Sequence, residues 1–188
     1  EKIWRDVTAH RPRLFLGKRA VSVHPARKRV LDHQGEEYQY EKLLIATGGT
    51  PRKLSSEDGI IYFRTLEDYF RLKELVSQGG RFGVIGGGFI GSEIAAALRM
   101  NGQEVTMLFP EDGIGSRLFP ADLSEYVTNY YREKGVDVLA GRMVDEIQRR
   151  QNEYRILTDG GEEVYVDHLI AGIGIRPNTD LAEQAGIQ

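Results

Sequence analysis

Apolar and polar positions change rhythm several times along this chain. Between 20 and 40 they alternate in short runs, 20–24, 29–31 and 37–40, broken by Pro25 and by the turn Asp32-His-Gln-Gly35. That period of two predicts a small antiparallel meander. Residues 42–47 instead carry the continuous apolar run Leu43-Leu-Ile-Ala46, which predicts a buried strand stopped by Gly48, Gly49 and Pro51. A short strand is expected over 60–63 and a helix over 65–76, where Thr65 can cap with Asp68 at the third position and Gly79-Gly80 ends the run. Then come an apolar strand at Arg81–Ile85, a helix at Phe89–Met100 and a strand at Glu104–Phe109. Pro120 opens a helix from Ala121 to about Lys134, and Gly135 closes it. Residues 136–139 read as a strand, 142–148, 154–158 and 162–166 as a second meander around Asp159-Gly-Gly161, and 167–171 as another apolar strand.

The strand, helix and strand between Arg81 and Phe109 form a βαβ unit, and the turn inside it reads Gly86-Gly-Gly-Phe-Ile-Gly91. Gly86, Gly88 and Gly91 satisfy G-x-G-x-x-G in the context the pattern requires. Gly86 permits a tight turn, Gly88 lets backbone approach a pyrophosphate, and Gly91 lets helix and strand pack closely. A nucleotide lying along Gly86, Gly87, Gly88, Phe89, Ile90 and Gly91 places its phosphates on free main-chain amides at the positive end of the helix. Glu111 lies 20 residues beyond Gly91, where an acid can accept both adenosine ribose hydroxyls and repel a 2′-phosphate, which favours NADH over NADPH. Arg117 opposes it on the same loop and can either stack on adenine or pair with a phosphate.

The two meanders are copies. Gly35 and Gly161, Glu36-Glu37 and Glu162-Glu163, Leu43 and Leu169, Gly48 and Gly174, and Pro51 and Pro177 all lie 126 positions apart. Each copy therefore closes a dinucleotide-binding half, but the fingerprint belonging to the first copy falls before Glu1. The expectation is a piece of a longer protein with two dinucleotide domains.

Composition narrows the function. Hydrophobic residues make up 40% of the 188, enough for a sizeable core, and the formal net charge is −3. Lys and Arg are dispersed among acids apart from Arg11, Arg13, Lys18, Arg19 and Arg27 to Arg29, so neither nucleic acid nor a membrane is expected as partner. Apolar runs fall short of a membrane span, so a soluble protein is expected, and the sequence leaves its compartment, cytoplasmic or mitochondrial, open. There is no cysteine, and the four histidines have no ligand spacing, so no metal site is expected.

The order of meander, Ala46-Thr-Gly-Gly-Thr-Pro-Arg52, Val84-Ile-Gly-Gly-Gly-Phe-Ile-Gly-Ser-Glu93 and Ala171-Gly-Ile-Gly-Ile-Arg-Pro177 resembles the pyridine-nucleotide-disulfide oxidoreductase superfamily. Leu108-Phe-Pro-Glu-Asp-Gly-Ile-Gly-Ser-Arg117, with Phe89 and Glu93, resembles the apoptosis-inducing-factor-like flavoproteins within it. The resemblance implies an α/β fold: a Rossmann-like NAD(H)-binding domain at 63–174, with parallel sheet and meander, inserted in an FAD-binding domain. Residues 1–62 would be the rear part of that truncated FAD domain and 175–188 the return to it. It implies hydride transfer from NADH to FAD, with Phe89 against the nicotinamide and Glu93 reaching the nicotinamide and flavin as the catalytic pair. Gly174 would lie at the nicotinamide ribose, and Thr47, Gly48 and Arg52 would border the flavin. Two other readings stay open: a ferredoxin or rubredoxin reductase serving a protein electron acceptor, and an NADH-sensing module that forms a homodimer on reduction.

Overall fold

The computed structural model describes residues 12–54 and 58–187; Trp4 and Arg11 lie outside them. The chain divides into two compact units, one of residues 1–49 with 177–188 and one of residues 50–176. In the first unit β1 (Ala20–His24), β2 (Arg29–Asp32) and β3 (Glu37–Gln39) form an antiparallel meander in which Val23 faces Val30 and Val30 faces Tyr38. Asp32 sets its tight turn. Only 2% exposed, its carboxylate accepts the N–H groups of Gln34 (2.8 Å) and Glu36 (2.9 Å) and the Tyr38 hydroxyl (2.9 Å), with the Lys18 ammonium at 3.3 Å. Such side-chain to backbone bonds are why Asp favours turns. The strand β4 (Gly49–Pro51) follows.

The second unit is built on parallel pairing. Its elements are α1 (Leu66–Gln78), β5 (Arg81–Ile85), α2 (Phe89–Met100), β6 (Glu104–Phe109), α3 (Ala121–Glu133), β7 (Asp137–Ala140), β8 (Val144–Arg150), β9 (Glu153–Thr158), β10 (Glu163–Val166), β11 (His168–Ala171) and β12 (Ile175–Pro177). A last helix, α4 (Asp180–Gln184), belongs to the first unit. Thr65 caps α1 as expected, its hydroxyl taking the Asp68 N–H while the Asp68 carboxylate takes the Thr65 N–H at 2.8 Å. The sheet runs β11-β5-β6-β7, all parallel, with Val84 beside Met107 and Ile170.

Alternation along these strands divides the core in two. Phe82, Val84, Met107, Phe109, Val138 and Ile170 face one side, where Ile94, Ala95 and Leu98 of α2 cover them at helical spacing. Ile85, Leu108, Leu169 and Ala171 face the other, against Tyr154, Ile156 and Val166 of the antiparallel meander β8-β9-β10. Burial on both sides is why these strands read as continuous apolar runs. Arg81 fastens the start of β5 through Asp167 (2.8 Å) and Glu153 (3.1 Å). The fold is thus α/β, with a parallel sheet and a meander.

The repeat is visible in detail. The turn after β2 and the turn after β9 make the same bonds: Gly35 N–H to Asp32 O (3.0 Å) and Gly161 N–H to Thr158 O (2.9 Å), with the Glu36 and Glu162 N–H groups donating to the Asp32 and Thr158 side chains.

One expectation is corrected. Residues 42–47 are not a buried strand: Leu43 is 38% and Leu44 87% exposed, and no strand is assigned there. Their counterparts in β11 lie beside β5, whereas no described strand runs beside 42–47, so apolar sequence alone does not bury them. In the second unit's core Ile60 and Ile61 are 7% and 1% exposed, and Ile61 bridges Ile170 in parallel.

Candidate functional site

The C-terminal edge of a parallel sheet is where an open α/β fold places a ligand, because the loops there diverge around a crevice. In the second unit that edge carries a groove of about 520 Å³, lined by the turn after β5, the loop after β6, the segment after β7 and the turn after β11.

Each fingerprint glycine answers to a different neighbour. Gly86 has φ +117°, and a Cβ on it would stand 2.5 Å from the Gly172 carbonyl oxygen. At Gly91 a Cβ would stand 1.9 Å from the Gly86 carbonyl oxygen, so the helix meets its own turn only through glycine. Gly88 differs: a Cβ there meets nothing within 4 Å, and the residue lines the groove. It is the N-cap of α2 and offers no side-chain cap, so the helix's first N–H groups keep their donors for another partner.

The loop after β6 is tied at both sides. The Gly115 N–H donates to the Gly87 carbonyl at 2.8 Å. Thr128, buried on α3, accepts the Ile114 N–H (2.8 Å) and donates to the Ser124 carbonyl (2.7 Å), while the Ser124 hydroxyl donates to the Ile114 carbonyl (2.9 Å). These bonds hold the segment that carries Glu111 and Arg117. Glu111, its side chain 21% exposed, forms an ion pair with Arg117, which is 80% exposed, and both line the groove.

The groove gathers Gly86, Gly87, Gly88, Phe89, Ile90, Glu111, Arg117 and Gly174, with Gly91 buried beneath. Phe89 is 61% exposed, its ring edge-on to Phe119 at 6.4 Å. Gly174 has φ +93°, and its carbonyl accepts the Arg52 N–H at 3.0 Å. The remaining expected residues lie elsewhere. Glu93 is one turn beyond Phe89 and is not among the groove's lining, and neither is the Arg52 side chain. Thr47 and Gly48 belong to the first unit, where the Thr47 hydroxyl donates to the Asn178 carbonyl (2.6 Å) and the Gly48 carbonyl accepts the Asn178 N–H (3.0 Å). With Ala46 and Pro177 they line a groove of about 610 Å³ in that unit.

The sequence reading does not single out several further lining residues, among them Phe109, Arg142, Met143 and Gly172. All four stand at or just beyond the C-terminal end of a parallel strand, β6, β7 or β11, and that position is the signal that could have found them. Glu162 holds Arg142 (2.7 Å), and that hydrogen bond raises the guanidinium pKa and lowers the carboxyl's.

A family model described as pyridine nucleotide-disulphide oxidoreductase matches residues 6–188. The chain belongs to that family. Among the family's members, apoptosis-inducing factor 1, mitochondrial, of Dictyostelium discoideum is 35% identical over 91% of the chain and 34% of its own length. The peroxisomal monodehydroascorbate reductase 4 of Arabidopsis thaliana is 38% identical over 93% of the chain and 38% of its own length. The solved covalent putidaredoxin reductase–putidaredoxin complex superposes with a TM-score of 0.83 and 31% identity, covering 92% of the chain and 44% of that one. The chain thus spans well under half the length of these oxidoreductases.

Proposed function

We propose that residues 63–174 bind NADH along the groove at the C-terminal edge of the sheet, and that the complete protein is a flavoprotein oxidoreductase in which NADH gives a hydride to FAD. The observation that carries the reading is Gly88: an uncapped helix start whose one missing side chain faces open groove, with the acid Glu111 on the same groove. The turn would hold the pyrophosphate by main-chain amides, Glu111 would accept the adenosine ribose hydroxyls, and the nicotinamide would run toward Phe89 and Gly174. FAD would supply the hydride-accepting ring, while residues 1–62 and 175–188 contribute to its domain, with Thr47, Gly48 and Arg52 bordering it and Glu93 at its nicotinamide side. The chain's own part is distance, orientation and electrostatics.

Titration of the purified chain with NADH and NADPH, followed by calorimetry, tests this. Saturable binding that is tighter for NADH is expected. A folded sample that binds neither, or both equally, contradicts it.

A protein electron acceptor is a second proposal, favoured by the likeness to the putidaredoxin reductase complex. The full-length protein would then reduce a small iron–sulfur protein from NADH. A homodimer formed on reduction is the remaining proposal, checked by a size change on adding NADH. Among the described residues no helix is long and apolar enough to cross a membrane.

A further inference from the structure

Arg142 is a charged residue of the groove to which the proposed function gives no task. It follows Gly141 at the end of β7, where the Gly141 N–H donates to the Glu111 carbonyl (2.8 Å) and the Arg142 N–H to the Phe109 carbonyl (3.0 Å). Its main chain therefore lies beside the stretch that leads into Glu111, and the residue is part of the same groove's lining. Its guanidinium is already engaged: Nε donates to Glu162 Oε2 at 2.7 Å, Nη2 approaches Oε1 at 3.4 Å, and Nη1 donates to the Gly141 carbonyl at 3.2 Å. Arg117, the other guanidinium of the groove, is engaged by Glu111. Each cation on the groove thus answers to its own carboxylate. The Glu162 carboxylate takes the Nε/Nη2 edge of the fork and offsets its charge, and the Gly141 carbonyl takes a donor of Nη1, so a phosphate would meet a cation that is already paired.

We infer that Glu162 is a specificity-determining residue: by pairing with Arg142 it withholds a guanidinium from a phosphate on the adenosine ribose, and so biases the groove toward NADH and away from NADPH. The inference rests on the groove being the dinucleotide site proposed above. Glu162 itself is outside the lining and sits in the turn between β9 and β10, so it acts through Arg142. The repeat supplies the competing explanation. Glu36, the matching residue of the first meander, pairs with Lys18 at 3.1 Å, so a glutamate–cation clasp also belongs to the turn as such. A clasp that serves only the turn changes stability and leaves the choice of nucleotide alone.

The test measures dissociation constants for NADH and NADPH on the 188-residue chain and on E162Q, E162D and the double variant R142Q/E162Q, with a thermal melt for each. The turn is held by the Glu162 N–H on the Thr158 hydroxyl (3.1 Å), which these changes leave in place. Should E162Q melt early, E162S replaces it. A 2′-phosphate carries close to two negative charges. Facing a half-exposed guanidinium, it is expected to improve NADPH binding relative to NADH by roughly three- to tenfold in E162Q. The gain should shrink as salt is raised, be absent from E162D, and vanish in R142Q/E162Q. A ratio in E162Q within about twofold of wild type, with NADH still bound, overturns the inference alone, and so does a gain that survives loss of Arg142. Wild-type chain that is folded yet binds no NADH overturns the groove reading and this inference with it.

Discussion

Replacing Gly88 by Asp separates the stability of the fold from the affinity of the groove, because the two should move in opposite directions. Gly88 has φ −83° and ψ −171°, an extended conformation open to any residue, and its Cβ would meet nothing within 4 Å. Asp is a better N-cap than Gly by a few tenths of a kcal/mol, and its charge at the positive helix end adds about 0.3–1 kcal/mol. Stability should therefore rise by up to about 1 kcal/mol. The same carboxylate would occupy the amides proposed to hold the pyrophosphate. At about 4 Å and an effective dielectric of about 20, two like charges repel by about 4 kcal/mol. Allowing for relaxation and salt, half of that still lowers affinity by roughly thirtyfold. Thermal unfolding and a fluorescence titration with NADH on the same preparation read both effects. A folded Gly88→Asp variant that binds NADH as tightly as wild type refutes the reasoning.

Three further outcomes are expected. Gly91→Ala should destabilise the second unit severely, by about 3 kcal/mol or more, since the new Cβ would stand 1.9 Å from the Gly86 carbonyl oxygen and neither backbone can yield; denaturant melts check it. Thr128→Val keeps the shape of a buried side chain but leaves the Ile114 N–H without its acceptor, costing about 1–3 kcal/mol, and by loosening the loop that carries Glu111 it should also weaken NADH binding. Asp32 governs the acid limit of the first unit. Burial alone would raise its pKa, but the Glu36 and Gln34 N–H groups, the Tyr38 hydroxyl and Lys18 together hold it well below the usual carboxylate value. Its contribution to stability is therefore present above about pH 4 and is lost as pH falls toward the folded-state pKa, whereas Asp32→Asn should lower stability at pH 7 and flatten that dependence in urea melts at pH 7 and pH 3.

Much of the second unit was legible in the sequence because its signals are local. The Thr65 and Asp68 capping pair, the glycine pattern from Gly86 to Gly91 and the period of two in the meander each depend on neighbours a few residues away. The constant offset between the copies extended that reach, and β4 and β12, β2 and β9 fall at matching positions. The illegible part depends on partners distant in sequence. Leu43 and Leu44 are as apolar as Leu169 and Ile170, yet only the latter pair have β5 beside them. Ile60 and Ile61 look like the end of one segment until Ile170 is placed next to them. Around the groove, the acid after β6 could be read from its spacing to Gly91, but its pairing with Arg117 and the approach of Arg142 after β7 depend on how the strands line up. Glu93 was named through resemblance, and helical geometry sets it one turn beyond the residues that line the groove.

Amide hydrogen exchange with and without saturating NADH tests the central claim most directly, since it reports where the nucleotide lies. Protection is expected over 86–91, over the loop at 111–117 and near Gly174. Exchange over 86–91 that is unchanged at saturation would contradict the account.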